Sequence, residues 1–131
     1  MKQREKKFEK EVVMKLSLGY LLYLPEEYEE SSREWPLILF LHGAGECGED
    51  LEMVKRNGIP KRVEEIGAFP FIAVSPQCPA GSWWGDETEA LIMLLDEVPG
   101  EYRVDRERIY VTGLSMGGYG TWLMAALNPE L

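Results

Sequence analysis

A sharp strand-to-helix turn is the feature that most constrains how this chain can fold. Residues 108–120 read RIYVTGLSMGGYG, in which an apolar, β-branched run meets Gly-x-Ser-x-Gly and passes directly into the helix-like segment 119–127. Glycine is expected at Gly113 and Gly117 because such a turn strains the backbone at Ser115 and crowds its flanks. The pentapeptide is a weak signal alone, but its strand and helix context predicts that Ser115 is a nucleophile.

The rest of the chain alternates strand-like and helix-like segments. Continuous apolar runs predict further strands at 12–24, 35–41 and 69–76, and amphipathic segments predict helices after Asp50 and over 86–98, where Pro99 and Gly100 should end the helix. This order predicts an α/β fold with a mostly parallel sheet and helices on both faces. Loops at the carboxyl ends of parallel strands build the site, so the segments 42–50 and 77–84 should meet the turn at Ser115.

Composition argues against a nucleic-acid partner, a membrane span and a metal site. The 131 residues suffice for one domain, and the net charge of −9 argues against a nucleic-acid partner, because phosphate binding needs clustered Lys and Arg. No apolar run has the length of a membrane span, and the charged lead-in 1–11 does not resemble a signal peptide, which favours a cytoplasmic location. Cys47 and Cys78 could pair or remain thiols, with thiols the preferred interpretation, and neither has metal-ligand spacing.

Three motifs together give the chain a family resemblance. They are LHGAGE at 41–46, SPQCP at 75–79 followed by Trp83 and Trp84, and GLSMGG at 113–118. The chain resembles the α/β-hydrolases, and more narrowly the esterases related to polyhydroxyalkanoate depolymerases, feruloyl esterases and bacterial "predicted peptidases". The resemblance implies a carboxylic-ester hydrolase that acts on a small-molecule ester through a serine, with no metal or organic cofactor.

The resemblance also assigns site residues. Ser115 would be the nucleophile, and the backbone N–H groups of Met116 and Ala44 would form the oxyanion hole, in which fixed donors stabilise the negative oxygen of the tetrahedral intermediate. We expect Trp83, Trp84 and Gln77 to bind substrate. The alternatives are that the tryptophans pack in the core and that Gln77 satisfies backbone groups in its loop.

The chain departs from the family in its general base. In α/β-hydrolases the triad follows in the order Ser, Asp or Glu, His. Here the single histidine, His42, precedes Ser115, and in the family this histidine is generally structural. We therefore expect the acid and the base to be missing, so that residues 12–131 are the N-terminal part of a hydrolase domain that is incomplete at its C-terminal side. Such a piece should self-associate or pair with a complementary C-terminal segment, because a strand edge would be exposed. The alternative is a natural short form that serves as a non-catalytic ligand-binding or interaction module.

Overall fold

A computed structural model describes residues 3–130, which fold into four strands and three α-helices. In chain order these are β1 (Tyr20–Tyr23), β2 (Trp35–Leu41), α1 (Gly58–Ile66), β3 (Ile72–Pro76), α2 (Thr88–Glu101), β4 (Val104–Gly113) and α3 (Met116–Leu127). Short 3₁₀ helices occupy Ala44–Glu46, Leu51–Arg56 and Trp84–Glu87. Asp50 caps the second of these, because its side chain accepts a hydrogen bond from the Glu52 N–H at 3.1 Å.

The strands form one mixed sheet in the order β1-β3-β2-β4. Strand β2 runs parallel to both β3 and β4, whereas β1 runs antiparallel to β3. The α/β class is therefore confirmed, and the prediction of a mostly parallel sheet is confirmed in part. Strand β4, which leads into Ser115, lies at one edge of this sheet.

The charged residues at the start of β4 interrupt its regular pairing with β2. Trp35 pairs with Val104 but Leu37 pairs with Ile109, so four residues of β4 oppose one residue of β2. Asp105 organises this bulge, since its carboxylate accepts hydrogen bonds from the Glu107 N–H and from Arg108 Nε. The regular pairing that carries the chain to the turn therefore begins at Ile109.

The helices cover the sheet according to the alternation of its side chains. Ser75 of β3 and Val63 of α1 line the same cavity, whereas Val74 of β3 and Leu91 of α2 belong to the main core. Because successive strand residues point to opposite faces, α1 and α2 pack on different sides of β3. The core also contains Met124 of α3.

Two predicted elements differ from the structure. The strand predicted over 12–24 is wrong for most of its length, because only Tyr20–Tyr23 pairs with β3 and residues 3–18 form neither helix nor strand. The helix predicted to end before Pro99 continues to Glu101. Proline in the last turn removes one hydrogen bond only, and the Tyr102 N–H still donates to Val98 O.

Within residues 3–130, no helix is both long and apolar enough to cross a membrane.

Candidate active site

Ser115 stands at the turn between β4 and α3 in a strained conformation. Its φ of 56° and ψ of −112° make it the one non-glycine residue with positive φ among residues 3–130. The turn is fixed on both sides, since the Leu114 N–H donates to Leu41 O at 3.1 Å and the Gly118 N–H donates to Ser115 O at 2.8 Å. The Ser115 side chain is exposed, so the fold presents its hydroxyl to solvent at the carboxyl end of β4.

The glycines around Ser115 are required by close backbone approach. A Cβ atom at Gly117 would lie 1.7 Å from Leu41 O, and one at Gly113 would lie 2.1 Å from Gly117 O. Any side chain at either position would collide with main-chain atoms, which cannot rotate away. The sequence motif therefore reflects the packing of the turn against the end of β2.

The loop after β2 lies directly against this turn. A Cβ atom at Gly43 would lie 3.7 Å from Ser115 Cβ and 3.5 Å from Leu114 O. Ala44 and Met116 each begin a helix, where N–H groups have no partner within the helix. Among the described residues, neither amide donates to a protein acceptor. The structure thus leaves both predicted oxyanion donors available, and their role stays a prediction.

His42 is buried beneath the loop with both ring nitrogens in hydrogen bonds. Nε2 accepts from the Cys78 N–H at 2.9 Å, so Nδ1 carries the proton and donates to Gly43 O. The ring also packs on Trp84, at 4.9 Å between centroids. Burial lowers the pKa of the imidazole, although the Gly43 carbonyl and the Glu46 carboxylate oppose the shift. The lone pair of Nε2 is therefore occupied by the Cys78 N–H. The neutral His42 ring holds the loop after β2 in place.

Glu46 and Gln77 hold the loop in place. The buried Glu46 carboxylate accepts from Asn57 Nδ2 at 2.6 Å. Gln77 Nε2 donates to the carbonyls of Glu46 and Asp50, each at 2.8 Å. These bonds support the backbone-ordering alternative for Gln77, whose predicted contact with substrate stays a prediction.

The two neighbouring tryptophans have different environments. Trp84 is 0% exposed and its indole N–H donates to His42 O at 2.9 Å, which supports the core-packing alternative, and its predicted contact with substrate stays a prediction. Trp83 is 44% exposed on the loop surface, and its proposed contact with substrate stays a prediction. The contacts with His42 account for the difference, because the Trp84 ring packs on the His42 ring and Trp83 has no such contact among the aromatic pairs of residues 3–130.

Two contacts of this region were absent from the sequence-based prediction. Asn57 reaches Glu46 from the segment before α1, and the Cys78 main chain reaches the His42 ring from the loop after β3. Both join residues on different loops, and no motif spacing encodes them. The one available signal was the expectation that the loops after β2 and β3 meet at one sheet edge.

Solved structures with the same fold are esterases and a related hydrolase. A thermostable esterase shares 34% identity with a TM-score of 0.70, over 87% of this chain and 35% of that chain. A ferulic acid esterase shares 25% identity with a TM-score of 0.61, over 85% and 49%. An S-formylglutathione hydrolase from Agrobacterium tumefaciens shares 19% identity with a TM-score of 0.54, over 86% and 49%, and shows the fold alone. Comparison with protein-family models and with curated proteins gives no match.

The chain therefore resembles the α/β-hydrolase-type esterases, as its motifs predicted. It spans about a third to a half of the length of the solved proteins that it matches.

Proposed function

We propose that this chain carries the nucleophile and the oxyanion-binding loop of a carboxylic-ester hydrolase. The observation that carries the proposal is the backbone of Ser115, an exposed residue with a φ of 56° at the junction of β4 and α3. Strained conformations of this kind persist where the surrounding structure enforces them, and they cluster at functional sites. The resemblance to two esterases supports the same conclusion.

The proposed reaction proceeds through an acyl-enzyme. Ser115 Oγ attacks the carbonyl carbon of a small ester and loses its proton to a base, while the carbonyl electron pair moves to oxygen. The N–H groups of Met116 and Ala44 donate to that oxyanion in the tetrahedral intermediate. Collapse expels the alcohol, and water then releases the acid. Trp83 is the exposed aromatic side chain of the loop after β3 and is proposed to contact the substrate.

The base in this proposal comes from outside these 131 residues. His42 is the single histidine, and its ring is committed to Gly43 O and the Cys78 N–H. A triad needs an imidazole within hydrogen-bond reach of Ser115, held by a carboxylate. We propose that a further polypeptide segment supplies both groups.

The open side of β4 is the proposed position for that segment or for a second copy of the chain. Strand β4 has no neighbour beyond it among the described residues, and Tyr110 is 54% exposed. Beside it, a groove of about 210 Å³ is lined by Ile109, Val111 and Met124. The Asn128 Nδ2 atom at this groove is buried without a hydrogen-bond partner in residues 3–130. An added strand would pair with the edge and fill the groove.

Stoichiometric acylation tests the nucleophile. An acyl-enzyme that lacks a base to activate water is hydrolysed slowly, so p-nitrophenyl acetate should release one equivalent of nitrophenol per chain without turnover. Intact mass should show one acetyl group, carried by Ser115. Ser115→Ala should abolish the burst, whereas Ser32→Ala, at an exposed serine with ordinary backbone, should retain it. Absence of the burst would contradict the proposed nucleophile, and steady turnover would contradict an external base.

A non-catalytic ligand-binding or interaction module is the second candidate. The burial of His42 favours it, because no imidazole of this chain faces Ser115. A fluorophosphonate separates the two functions. Covalent labelling at Ser115 that is lost in Ser115→Ala favours the hydrolase, whereas an unlabelled serine favours the binding module.

A further inference from the structure

Two cysteines lie side by side beneath the loop that contains Ala44. Cys78 follows β3 and is fully buried, whereas Cys47 is half-buried at the end of the Ala44–Glu46 turn. The Gly48 N–H donates to Cys78 O at 3.0 Å, which brings the two backbones together. The Cys47 thiol is near enough to influence the pKa of the Cys78 thiol, and both thiols are free.

The surroundings of the pair are already fixed by other bonds between the same loops. The Cys78 N–H donates to His42 Nε2 at 2.9 Å, and Gln77 Nε2 donates to Glu46 O at 2.8 Å. A covalent bond at this place therefore joins segments that are held in register before it forms. Neither cysteine has a part in the proposed ester hydrolysis.

We propose that Cys47 and Cys78 form a reversible disulfide that links the loop after β2 to the loop after β3. The oxidant is a low-molecular-weight disulfide such as oxidised glutathione. The Cys47 thiolate attacks one of its sulfurs and releases one thiol, leaving a mixed disulfide on Cys47. The Cys78 thiolate then attacks Cys47 Sγ and expels the second thiol. Two protein thiols are oxidised, the small disulfide is reduced, and the two released thiols take up the two protons.

The order of these steps follows from exposure. Burial raises the pKa of the Cys78 thiol to about 12, and the adjacent Cys47 thiol adds to the shift. In the dithiol form Cys78 therefore stays protonated and shielded, so the half-buried Cys47 reacts with the oxidant first, and Cys78 loses its proton only in the second step. The mixed disulfide then places a leaving group directly beside Cys78.

The bond would stabilise the fold and the loop together. It closes the segment 47–78, which contains α1 and β3, and thereby restricts the unfolded chain. We expect oxidation to raise the melting temperature by on the order of 10 °C. Because Cys47 immediately follows the Ala44–Glu46 turn, the bond also fixes the position of that turn.

Mass spectrometry after incubation with oxidised glutathione tests the connectivity. The intact chain should lose two hydrogens, and trypsin should release peptides 34–55 and 63–103 as a linked pair. Cys47→Ala should prevent the linkage. A glutathione adduct that persists on Cys47, or a linkage between two chains, would overturn the proposal.

Thermal unfolding is the second measurement. The increase in melting temperature should appear on oxidation, disappear with dithiothreitol and be absent in Cys47→Ala. An unchanged or lowered melting temperature in the linked protein would overturn the stabilising role. Both measurements are independent of esterase activity, so they can fail or succeed separately from the proposed function.

Discussion

Ser115 holds a backbone conformation that favours glycine, and this has a cost in stability. A strained φ,ψ pair at a residue with a side chain costs about 1–3 kcal/mol. We expect Ser115→Gly to raise the free energy of unfolding by about 1 kcal/mol, since relief of strain exceeds the added flexibility of the unfolded chain. Urea denaturation measures the change.

The matched control is Ser32→Gly, at an exposed serine outside helices and strands. It should give no gain in stability. If Ser115→Gly destabilises the protein as much as Ser32→Gly, the strain at Ser115 is not stored in the folded state.

His42 makes stability depend on pH in a predictable direction. Burial lowers its folded-state pKa below the ordinary 6.5, so at lower pH the unfolded chain binds a proton that the folded chain does not. The free energy of unfolding should therefore fall as the pH decreases through about 6.5, with a slope of up to about 1.4 kcal/mol per pH unit. His42→Asn should remove this component of the slope, as measured by urea denaturation at each pH. An unchanged slope in the variant would contradict a neutral, buried imidazole.

At the scale of elements, the first turn of α3 offers a matched pair of glycines. A Cβ atom at Gly117 would lie 1.7 Å from Leu41 O, whereas one at Gly118 would come no nearer than 4.0 Å to Gly113 O. Gly117→Ala should destabilise the protein by about 3 kcal/mol or more, because β2 and α3 must separate. Gly118→Ala should be neutral or stabilise by up to about 1 kcal/mol through helix propensity.

Thermal or urea denaturation of the two variants gives the comparison directly. Equal effects at both positions would show that α3 does not approach β2 as closely as described. If Gly117→Ala fails to fold, the behaviour of Gly118→Ala still distinguishes crowding from a general sensitivity of the helix.

The elements that the sequence predicted well are those with strong local signals. Strand β2 is a continuous apolar run, and the turn at Ser115 is encoded by glycines whose absence of side chains the packing requires. The strand predicted from residue 12 fails because an apolar run becomes a strand only where a partner strand pairs with it, and β3 pairs with Tyr20–Tyr23 alone. Pro99 does not end α2, because a proline in the last turn removes only one backbone hydrogen bond of the helix.

Side-chain environments in the site were harder to predict. Trp83 and Trp84 have the same chemistry and adjacent positions, yet one is exposed and the other buried, since Trp84 alone is bonded to and packed on His42 from another loop. The contact of Cys78 with His42 joins loops 36 residues apart and is set by the tertiary fold. Composition and spacing do not contain this information.

At the scale of the whole molecule, the unpaired edge of β4 predicts that copies of the chain associate with one another. Trp122 and Tyr119 are 79% and 72% exposed on α3, the helix that packs against β4. We expect the isolated chain to self-associate as its concentration rises, measured by analytical ultracentrifugation. Trp122→Glu should weaken this association about 30-fold, since a buried aromatic anchor is worth about 2 kcal/mol or more.

Ile66→Glu is the control, because Ile66 is an exposed apolar residue on α1, which packs against β3 rather than β4. It should leave the association constant unchanged. A stable monomer at all concentrations would contradict self-association through this edge.

The four tryptophans divide into two groups with different access to solvent. Trp35 and Trp84 are 0% exposed, whereas Trp83 and Trp122 are accessible. The emission spectrum of the unlabelled protein therefore contains a shielded and a quenchable component. Because Trp122 lies on the proposed association surface and Trp83 lies beside the site loops, acrylamide quenching of Trp83→Phe and Trp122→Phe would assign each signal. The fluorescence of Trp122 would therefore report the docking of a further strand, and that of Trp83 the binding of a ligand.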